Sequence, residues 1–551
     1  MNKNIFSSSL VWVSLLFVAC VPAARKLNRA DQAFQKRLQS HVGFLASDSL
    51  EGRRTGTAGE LLAKNYIAAQ FQQIGLQPKG GNGYEQLFEV NEGKKATAAS
   101  FLSINNDTLR VEQDYFFFPW SAEKPIKAEP TLGVREMDMP WVVDLAEGIN
   151  DNAQNPHFDL NTFVYEQSKK AAEAGAAALL LYNTNPAGDK LTFNPKDKSD
   201  AVKIPVAYVR SASAKKYFTN QEGAIRLQAQ LSFTENIRRG YNVLGYIDNK
   251  SDKTIILGAH FDHLGYGEDN NSRHTGAAAI HNGADDNASG TSLLIELARS
   301  LKQKEAQKNN YLFIAFSGEE LGLYGSKYFT DHATVDLKQV NYMINMDMVG
   351  RLPDSSKTIT LGGYGTSPAW SSVIDVKSTQ PLGIRIDSSG TGPSDHSSFY
   401  RKDIPVLFYF TGLHTDYHKP SDDADKINYS GMVTILRHIE KTIDGLNDQP
   451  KLAFLKTREA QTTTTARFSV TMGIMPDYTF SGKGVRADGV SEGKPAQKAG
   501  LKAGDVVLQI GDYTISSMES YMQTLGKFKK GETVKVLYLR GDKTLEVNVT
   551  F

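Results

Sequence analysis

The spacing of apolar positions changes along the chain, and each spacing predicts a different kind of element. Between residues 31 and about 78, apolar residues recur every three or four positions, as on one face of a helix, and Gly75 is a typical helix stop. A loop of glycine and charged residues is predicted within this region, at residues 51–56. From Asn242 onward, continuous apolar runs alternate with helical stretches, such as a helix predicted over residues 290–301. The apolar runs predict buried strands at residues 255–259, 311–316, 342–346 and 406–410.

Buried strands joined by helices are typical of an α/β sheet that is covered on both faces. In such sheets, ligands bind beyond the carboxyl ends of the strands. We therefore expect the functional residues of this region to follow the ends of its predicted strands.

Length and composition indicate an ordinary globular protein with several domains. At 551 residues the chain is too long for one compact core. Lys plus Arg (62) nearly balances Asp plus Glu (61), which argues against nucleic acid as a partner because nucleic-acid-binding proteins carry a marked basic excess. A small α/β unit is predicted from a helix at residues 171–175 and β-like runs at 141–143, 178–182 and 204–209. A threonine-rich linker at residues 461–465 precedes a last unit of short strands.

The N-terminal segment has the pattern of an export signal. Residues 5–19 are mainly apolar, Lys3 precedes them and Cys20 follows, which resembles a bacterial lipoprotein signal, although Phe17 stands where that signal usually has leucine. The run is too short to span a bilayer comfortably. Cys20 is the only cysteine, so no intrachain disulfide can form, and the resemblance implies cleavage before Cys20 and a lipid on its thiol. The alternative is a plain signal peptide that is cut near residue 23 or 24.

Acidic and histidine side chains follow the ends of successive predicted strands. His260 and Asp262 follow the first strand and, two apart in an extended segment, point to the same side. The other candidates at strand ends and in the adjoining loops are Asp285, Asp286, Glu319, Glu320, Asp347 and His418. Two imidazoles and several carboxylates form a suitable ligand set for zinc. Each motif alone is typical of a surface pair, a helix cap or a loop, but together they favour one shared metal site.

Several runs of residues carry a resemblance to a known family. The main ones are Gly-Ala-His-Phe-Asp-His at 258–263, Gly-Ala-Asp-Asp-Asn-Ala-Ser-Gly at 283–290, Phe-Ser-Gly-Glu-Glu at 316–320, Asn-Met-Asp-Met-Val-Gly at 345–350, Tyr-His-Lys-Pro-Ser-Asp at 417–422, Leu-Ala-Ser-Asp at 45–48 and Ser-Asp-His-Ser-Ser-Phe at 394–399. In content and order they resemble the co-catalytic zinc aminopeptidases, a family that includes bacterial leucyl aminopeptidases and, more distantly, glutamate carboxypeptidase and the transferrin receptor. The resemblance implies the zinc-exopeptidase fold, an α/β fold with a mixed central sheet covered by helices on both faces.

Carried onto these runs, the resemblance implies two Zn²⁺ ions. His260 and Asp347 would hold one zinc, Glu320 and His418 the second, and Asp286 would bridge both. Asp285 is the rival for the bridging role, and the spacing to the following Ser-Gly favours its neighbour.

The same resemblance implies catalytic roles for three further residues. Glu319 would be the general base that takes a proton from the attacking water. Asp262 would orient the imidazole of His260, as metal-bound imidazoles generally require. The hydroxyl of Tyr417 would help to stabilise the oxyanion.

The flanking regions resemble two further kinds of domain. The insert resembles a protease-associated domain, and the C-terminal unit resembles a PDZ domain in which Thr-Met-Gly-Ile at 471–474 occupies the loop that receives a peptide C-terminus. The predicted division is a signal peptide at 1–19, a first peptidase segment at 28–108, the insert at 109–240, a second peptidase segment at 241–450, a linker at 451–465 and the PDZ domain at 466–551.

The sequence thus predicts a metallo-aminopeptidase, exported and anchored by lipid to a membrane of a bacterial cell envelope, that acts on peptides with free N-termini. Two alternatives stay open. One is a metallo-carboxypeptidase or amidohydrolase on the same metal site. The other is a non-catalytic binding protein of the same fold, which would lack ligands or the base, and none is missing here.

Overall fold

The computed structural model describes residues 28–551 apart from 154–157, 186–187, 198, 219–223, 270, 379–380, 458–469, 478–479, 481, 491–492 and 517. The predicted signal peptide, Cys20 and the threonine-rich stretch at 461–465 lie outside the described residues. Within the described ranges, no helix combines the length and apolarity needed to cross a membrane.

The described chain contains α-helices and β-strands in alternation. The helices are α1 Arg29–Leu45, α2 Ala58–Ile74, α3 Ala146–Asp151, α4 Leu160–Glu173, α5 Ser211–Tyr217, α6 Gly290–Lys302, α7 Tyr324–Asp331, α8 His396–Tyr400, α9 Tyr429–Leu446, α10 Pro495–Lys498 and α11 Met518–Leu525. The strands up to the end of the insert are β1 Gln77–Pro78, β2 Glu85–Ala96, β3 Phe101–Ile104, β4 Asp107–Thr108, β5 Tyr115–Phe117, β6 Ile126–Ala128, β7 Pro140–Asp144, β8 Ala178–Tyr182, β9 Val206–Val209 and β10 Leu227–Gln230. The later strands are β11 Phe233–Ile247, β12 Thr254–His260, β13 Asn310–Phe316, β14 Val340–Met346, β15 Thr358–Gly362, β16 Gly383–Ile386, β17 Val406–Phe410, β18 Ile474–Pro476, β19 Val485–Val490, β20 Val506–Ile510, β21 Tyr513–Thr514, β22 Thr533–Arg540 and β23 Lys543–Thr550.

A nine-stranded mixed sheet forms the centre of the peptidase region. Its order is β1-β11-β13-β12-β14-β17-β15-β16, and β2 pairs with β11. The four strands predicted from apolar runs, β12, β13, β14 and β17, lie side by side and parallel. The predicted α/β class with a mixed central sheet is therefore confirmed, and the carboxyl ends of these four strands share one edge.

Helices cover both faces of this sheet, because its central strands are apolar on both sides. All seven residues of β12, of β13 and of β14 are buried. One face packs with α1, α2, α6 and α9 in a large core that includes Phe71, Trp370 and Ile439, and the other face packs in a smaller core with Phe329 and Phe399.

The first region consists of two helices separated by a 3₁₀ turn at Asp48–Arg53, which overlaps the loop predicted at residues 51–56. Thr57 caps α2 through its side chain, and Gly75 ends that helix in a left-handed conformation, as predicted.

The insert lies between the long antiparallel strands β2 and β11. It contains two four-stranded sheets, β4-β3-β10-β6 and β5-β9-β8-β7, and α4 packs against the second of them. The limits of the insert and its protease-associated character stay predictions.

The C-terminal unit is a six-stranded sheet in the order β18-β19-β20-β22-β23, with β21 paired to β20. It contacts the other regions through ion pairs. Lys527 binds Asp159 of the insert at 2.9 Å, and the buried Asp477 binds Lys327 on α7 of the peptidase region.

Candidate metal centre

The predicted site residues meet at the edge where the four parallel strands end. His260 is the last residue of β12, Asp347 follows β14 directly, and Glu319 and Glu320 follow β13 after a short turn. His418 lies in the loop after β17. Chain segments that are far apart in sequence therefore deliver histidine and carboxylate side chains to one place.

Asp286 lies between the two predicted imidazole ligands. Its Oδ1 is 3.3 Å from His260 Nε2, and its Oδ2 is 3.4 Å from His418 Nε2. Asp347 Oδ1 is also 3.3 Å from His260 Nε2, and Glu320 Oε2 is 3.2 Å from His418 Nε2. The five predicted ligands thus form two adjoining groups that share Asp286.

Hydrogen bonds behind the site set the orientation of its side chains. His418 Nδ1 is 2.8 Å from the backbone oxygen of Asn271, so a proton on Nδ1 leaves Nε2 free to face the acidic side chains. The hydroxyl of Ser394 donates to Asp347 Oδ2 at 2.8 Å and holds that carboxylate in place.

Asp285 is oriented away from the two imidazoles of the predicted site. Its Oδ1 accepts from the backbone N–H of Gly350 at 2.6 Å and from the hydroxyl of Ser289 at 3.1 Å. Its Oδ2 lies 3.1 Å from His414 Nε2. This geometry favours Asp286 over Asp285 as the bridging residue.

Asp262 joins the first strand end to the turn that carries the two glutamates. Its carboxylate accepts from the backbone N–H of Glu319 at 3.2 Å, from that of Glu320 at 3.4 Å and from the hydroxyl of Thr55 at 3.0 Å. Asp262 Oδ1 is 3.7 Å from His260 Nδ1, whereas its backbone oxygen is 3.2 Å away. Asp262 is therefore placed to orient His260, and its backbone oxygen is the nearer acceptor.

The site carries a surplus of buried negative charge, and this shifts the pKa of its members. Burial lowers the pKa of His418, but Glu320 and Asp286 outweigh it and raise that pKa to about 11. Burial raises the pKa of Glu320, but the charge of His418 and hydrogen bonds from His263 and His418 bring it down to about 2. The potential that holds a proton on this histidine also favours a metal cation, because buried carboxylates are costly unless a cation accompanies them.

Glu319 differs from its neighbour in its environment. Burial raises the pKa of its carboxyl well above the ordinary value, His260 opposes the shift, and Asp347 and Glu320 add to it. A carboxyl whose pKa is raised towards the working pH is suited to taking up and releasing a proton.

The ring of Tyr417 stacks on His418 with a centroid distance of 3.9 Å, and the guanidinium of Arg273 lies 4.7 Å from the ring centroid of Tyr417. Burial and the nearby carboxylates raise the pKa of this tyrosine. It therefore remains a hydrogen-bond donor, and its predicted role at the oxyanion stays a prediction.

His263 is a member of the site that sequence reasoning did not single out. It is buried, and its Nδ1 lies 2.8 Å from Glu320 Oε1. Together with Asp286 and Glu320 it forms a group whose ligand atoms all lie within 4.8 Å of one another. Its place three residues after His260, in the run at residues 258–263, was the available signal.

The donor atoms fit a metal such as zinc. His260, Glu319 and Asp347 form a second group within the same 4.8 Å limit. Both groups combine imidazole nitrogen with carboxylate oxygen, which is a set that zinc accepts.

Comparison with known proteins places two parts of the chain in families. Residues 242–443 match the model of peptidase family M28, and residues 467–551 match the model of the PDZ domain. Aminopeptidase YwaD of Bacillus subtilis is 30% identical over 280 residues, which cover 48% of this chain and 56% of that protein. A probable leucine aminopeptidase of Arthroderma otae is 29% identical over 214 residues, which cover 36% of this chain and 55% of that protein.

The matched region thus spans about half the length of these curated relatives. Among solved structures, a zinc aminopeptidase from Bacillus subtilis aligns with 78% of this chain and 96% of its own, at 21% identity and a TM-score of 0.42. The predicted family and the predicted PDZ domain are confirmed by the family models: the chain carries a peptidase domain of family M28 and, behind it, a PDZ domain.

Proposed function

We propose that this chain is a zinc-dependent aminopeptidase that removes residues from the N-termini of peptides. The observation that carries the proposal is the position of Asp286, whose two carboxylate oxygens face one imidazole each. This arrangement suits a pair of metal ions that share one bridging ligand. The M28 match and the relatives named as aminopeptidases support the same reading.

The proposed ligands are His260 and Asp347 for one zinc ion, Glu320 and His418 for the second, and Asp286 for both. A pair of zinc ions, when bound, would lower the pKa of a water molecule and polarise the substrate carbonyl. His263 lies within reach of the second group and fixes the carboxylate of Glu320 through the contact between Nδ1 and Oε1.

Glu319 is the proposed acid and base. It takes the proton of the attacking water and passes it to the amine that leaves. The carboxylate of Asp262 accepts hydrogen bonds from the backbone N–H groups of both Glu319 and Glu320. It therefore fixes the backbone of the turn that carries the proposed base, Glu319, and the proposed zinc ligand, Glu320. Tyr417, which keeps its proton, is the proposed donor to the oxyanion.

The proposed preference for a free N-terminus follows from the residue types of the site. The free α-amino group of a peptide can bind a zinc ion or donate a hydrogen bond to a carboxylate beside it. The nitrogen of an acetylated N-terminus is an amide and has no lone pair to offer a metal ion.

We therefore expect acetylated peptides to resist cleavage. Matched pairs of free and N-acetylated peptides, incubated with the zinc-loaded protein and followed by mass spectrometry, should show stepwise loss of N-terminal residues from the free peptides only. A chelator should abolish that loss. Equal cleavage of both forms would contradict the aminopeptidase assignment, and loss of C-terminal residues would favour the carboxypeptidase alternative.

A binding protein without catalytic activity is the second alternative. It is disfavoured because each predicted ligand and the predicted base are present and converge. Absence of turnover on every free peptide by a protein with bound zinc would favour it.

The remaining proposals concern location and the PDZ domain. We propose that the chain is exported and held at a bacterial envelope membrane by a lipid on Cys20, which rests on the signal pattern. For the PDZ domain we propose a peptide C-terminus as ligand. The strand β18, which begins at the last residue of the loop at 471–474, pairs with β19 and stands at the end of the sheet order, where a peptide could add a strand.

A further inference from the structure

The turn between α1 and α2 has an unusual backbone. Glu51, Gly52 and Arg53 are consecutive residues with positive φ, at 46°, 70° and 48°. L-residues avoid this region, and a Cβ on Gly52 would lie 2.6 Å from the backbone oxygen of His281. Such conformations persist only where the surrounding structure requires them, and they cluster at functional sites.

The unusual turn directs the side chain of Arg53 into the protein, where it is fully buried. Its guanidinium donates hydrogen bonds to four backbone carbonyl groups. Nε donates to Phe261 at 2.8 Å, Nη1 donates to Leu45 and to Asn282, and Nη2 donates to Gly283 at 3.1 Å.

Three of these carbonyls belong to the two segments that carry site residues, and the fourth, that of Leu45, lies at the end of α1. Phe261 lies between His260 and Asp262, and the oxygens of residues 282 and 283 lie shortly before Asp286. The guanidinium is therefore a direct link between residues 260–263 and residues 282–286.

The backbone of the same turn also forms hydrogen bonds with the segment that follows β12. The N–H of His263 donates to the backbone oxygen of Arg53 at 3.3 Å, and the N–H of Gly265 donates to that of Gly52 at 3.1 Å. The next residue but one, Thr55, donates to Asp262. The side chain of Arg53 and the backbone of its turn thus both bind the segment that carries His260, Asp262 and His263.

The positive charge of Arg53 also suits its position near the acidic residues of the site. Burial lowers its pKa to about 10, while Asp262 and Asp286 oppose the shift, so the guanidinium is charged at neutral pH. Its hydrogen bonds go to backbone carbonyl groups. The guanidinium therefore adds positive charge near the acidic site and leaves the carboxylates free to bind a metal ion.

We propose that Arg53 is a positioning residue that fixes the spacing of the two ligand-bearing segments, 260–263 and 282–286, and thereby sets the affinity of the site for zinc. The inference rests on the proposed zinc function. Lysine, with one nitrogen, cannot make the four bonds of the guanidinium.

The test measures zinc affinity in Arg53→Lys and Arg53→Ala by competition with a chelator of known affinity, alongside unfolding curves with and without zinc. Removing an outer partner of a metal ligand commonly weakens metal binding by about 10–100-fold, and we expect a loss of this size in both variants. Millimolar guanidinium should restore part of the affinity to Arg53→Ala and none to the wild type. We also expect kcat to fall more than KM rises.

Arg437→Ala is the matched control. This arginine is also multiply bonded, to Asp31 and Glu440, but it joins α9 to α1 away from the ligand segments. It should lose stability, keep its zinc affinity and gain nothing from guanidinium.

The inference predicts a loss of zinc affinity of about 10–100-fold. A zinc affinity within about twofold of the wild type in both Arg53 variants would therefore overturn it. Arg53→Lys keeps the charge and most of the volume, so it decides the question if Arg53→Ala does not fold. A wild-type protein that binds no zinc would instead contradict the proposed function.

Discussion

Replacement of Glu319 by glutamine is expected to leave zinc bound and to lower kcat by about 100- to 10,000-fold. Glutamine has the shape of the glutamate but cannot take up the proton of the attacking water. Neither the five proposed ligands nor the hydrogen bond between the backbone N–H of residue 319 and Asp262 depends on this carboxylate. Metal content by elemental analysis and steady-state kinetics on a free peptide would measure both effects.

Glu305→Gln provides the control, because Glu305 is exposed in the loop before β13. Its kinetics should match those of the wild type. Near-normal turnover in Glu319→Gln would refute the role of Glu319 as base, and loss of zinc in that variant would make it a ligand instead.

Replacement of Asp286 by alanine is expected to reduce zinc affinity by more than the roughly 10–100-fold that loss of an outer partner costs. The reason is that the carboxylate of Asp286 lies next to both His260 and His418, and no other predicted ligand faces both imidazoles. Activity at limiting zinc should fall with it. Zinc competition and activity at several zinc concentrations would measure the two losses.

Asp285→Asn is the matched control for Asp286→Ala. Asp285 is also a buried carboxylate, but its oxygens bind Gly350, Ser289 and His414. We expect this variant to be less stable to heat and to retain its zinc. If Asp285→Asn lost zinc and Asp286→Ala kept it, the bridging role would belong to Asp285.

Much of the peptidase region could be predicted because its central strands are buried on both faces. Continuous apolar runs then mark the strands without ambiguity, and β12, β13, β14 and β17 begin and end within two residues of their predicted limits. Since parallel strands end at one edge, the polar residues after them could be placed together from the sequence alone.

The extent of α4 could not be predicted in the same way. The sequence indicated a helix only at residues 171–175, whereas α4 runs over Leu160–Glu173. Leu160, Phe163 and Val164 have helical spacing, but the polar run Glu-Gln-Ser-Lys-Lys at residues 166–170 interrupts the apolar pattern before Ala171.

The sequence also left out contacts that arise only in three dimensions. His263 had no role until the structure placed it against Glu320, and the choice between Asp285 and Asp286 needed the hydrogen bonds of each. Arg53 stood in a loop of glycine and charged residues, and no spacing rule indicates that such an arginine turns inward to four carbonyl groups.

X-ray diffraction from zinc-loaded crystals, recorded above and below the zinc absorption edge, tests the central claim most directly. The account predicts two anomalous peaks on either side of the Asp286 carboxylate, one beside His260 and Asp347 and the other beside Glu320 and His418. A single peak, or zinc bound only elsewhere on the chain, would contradict it.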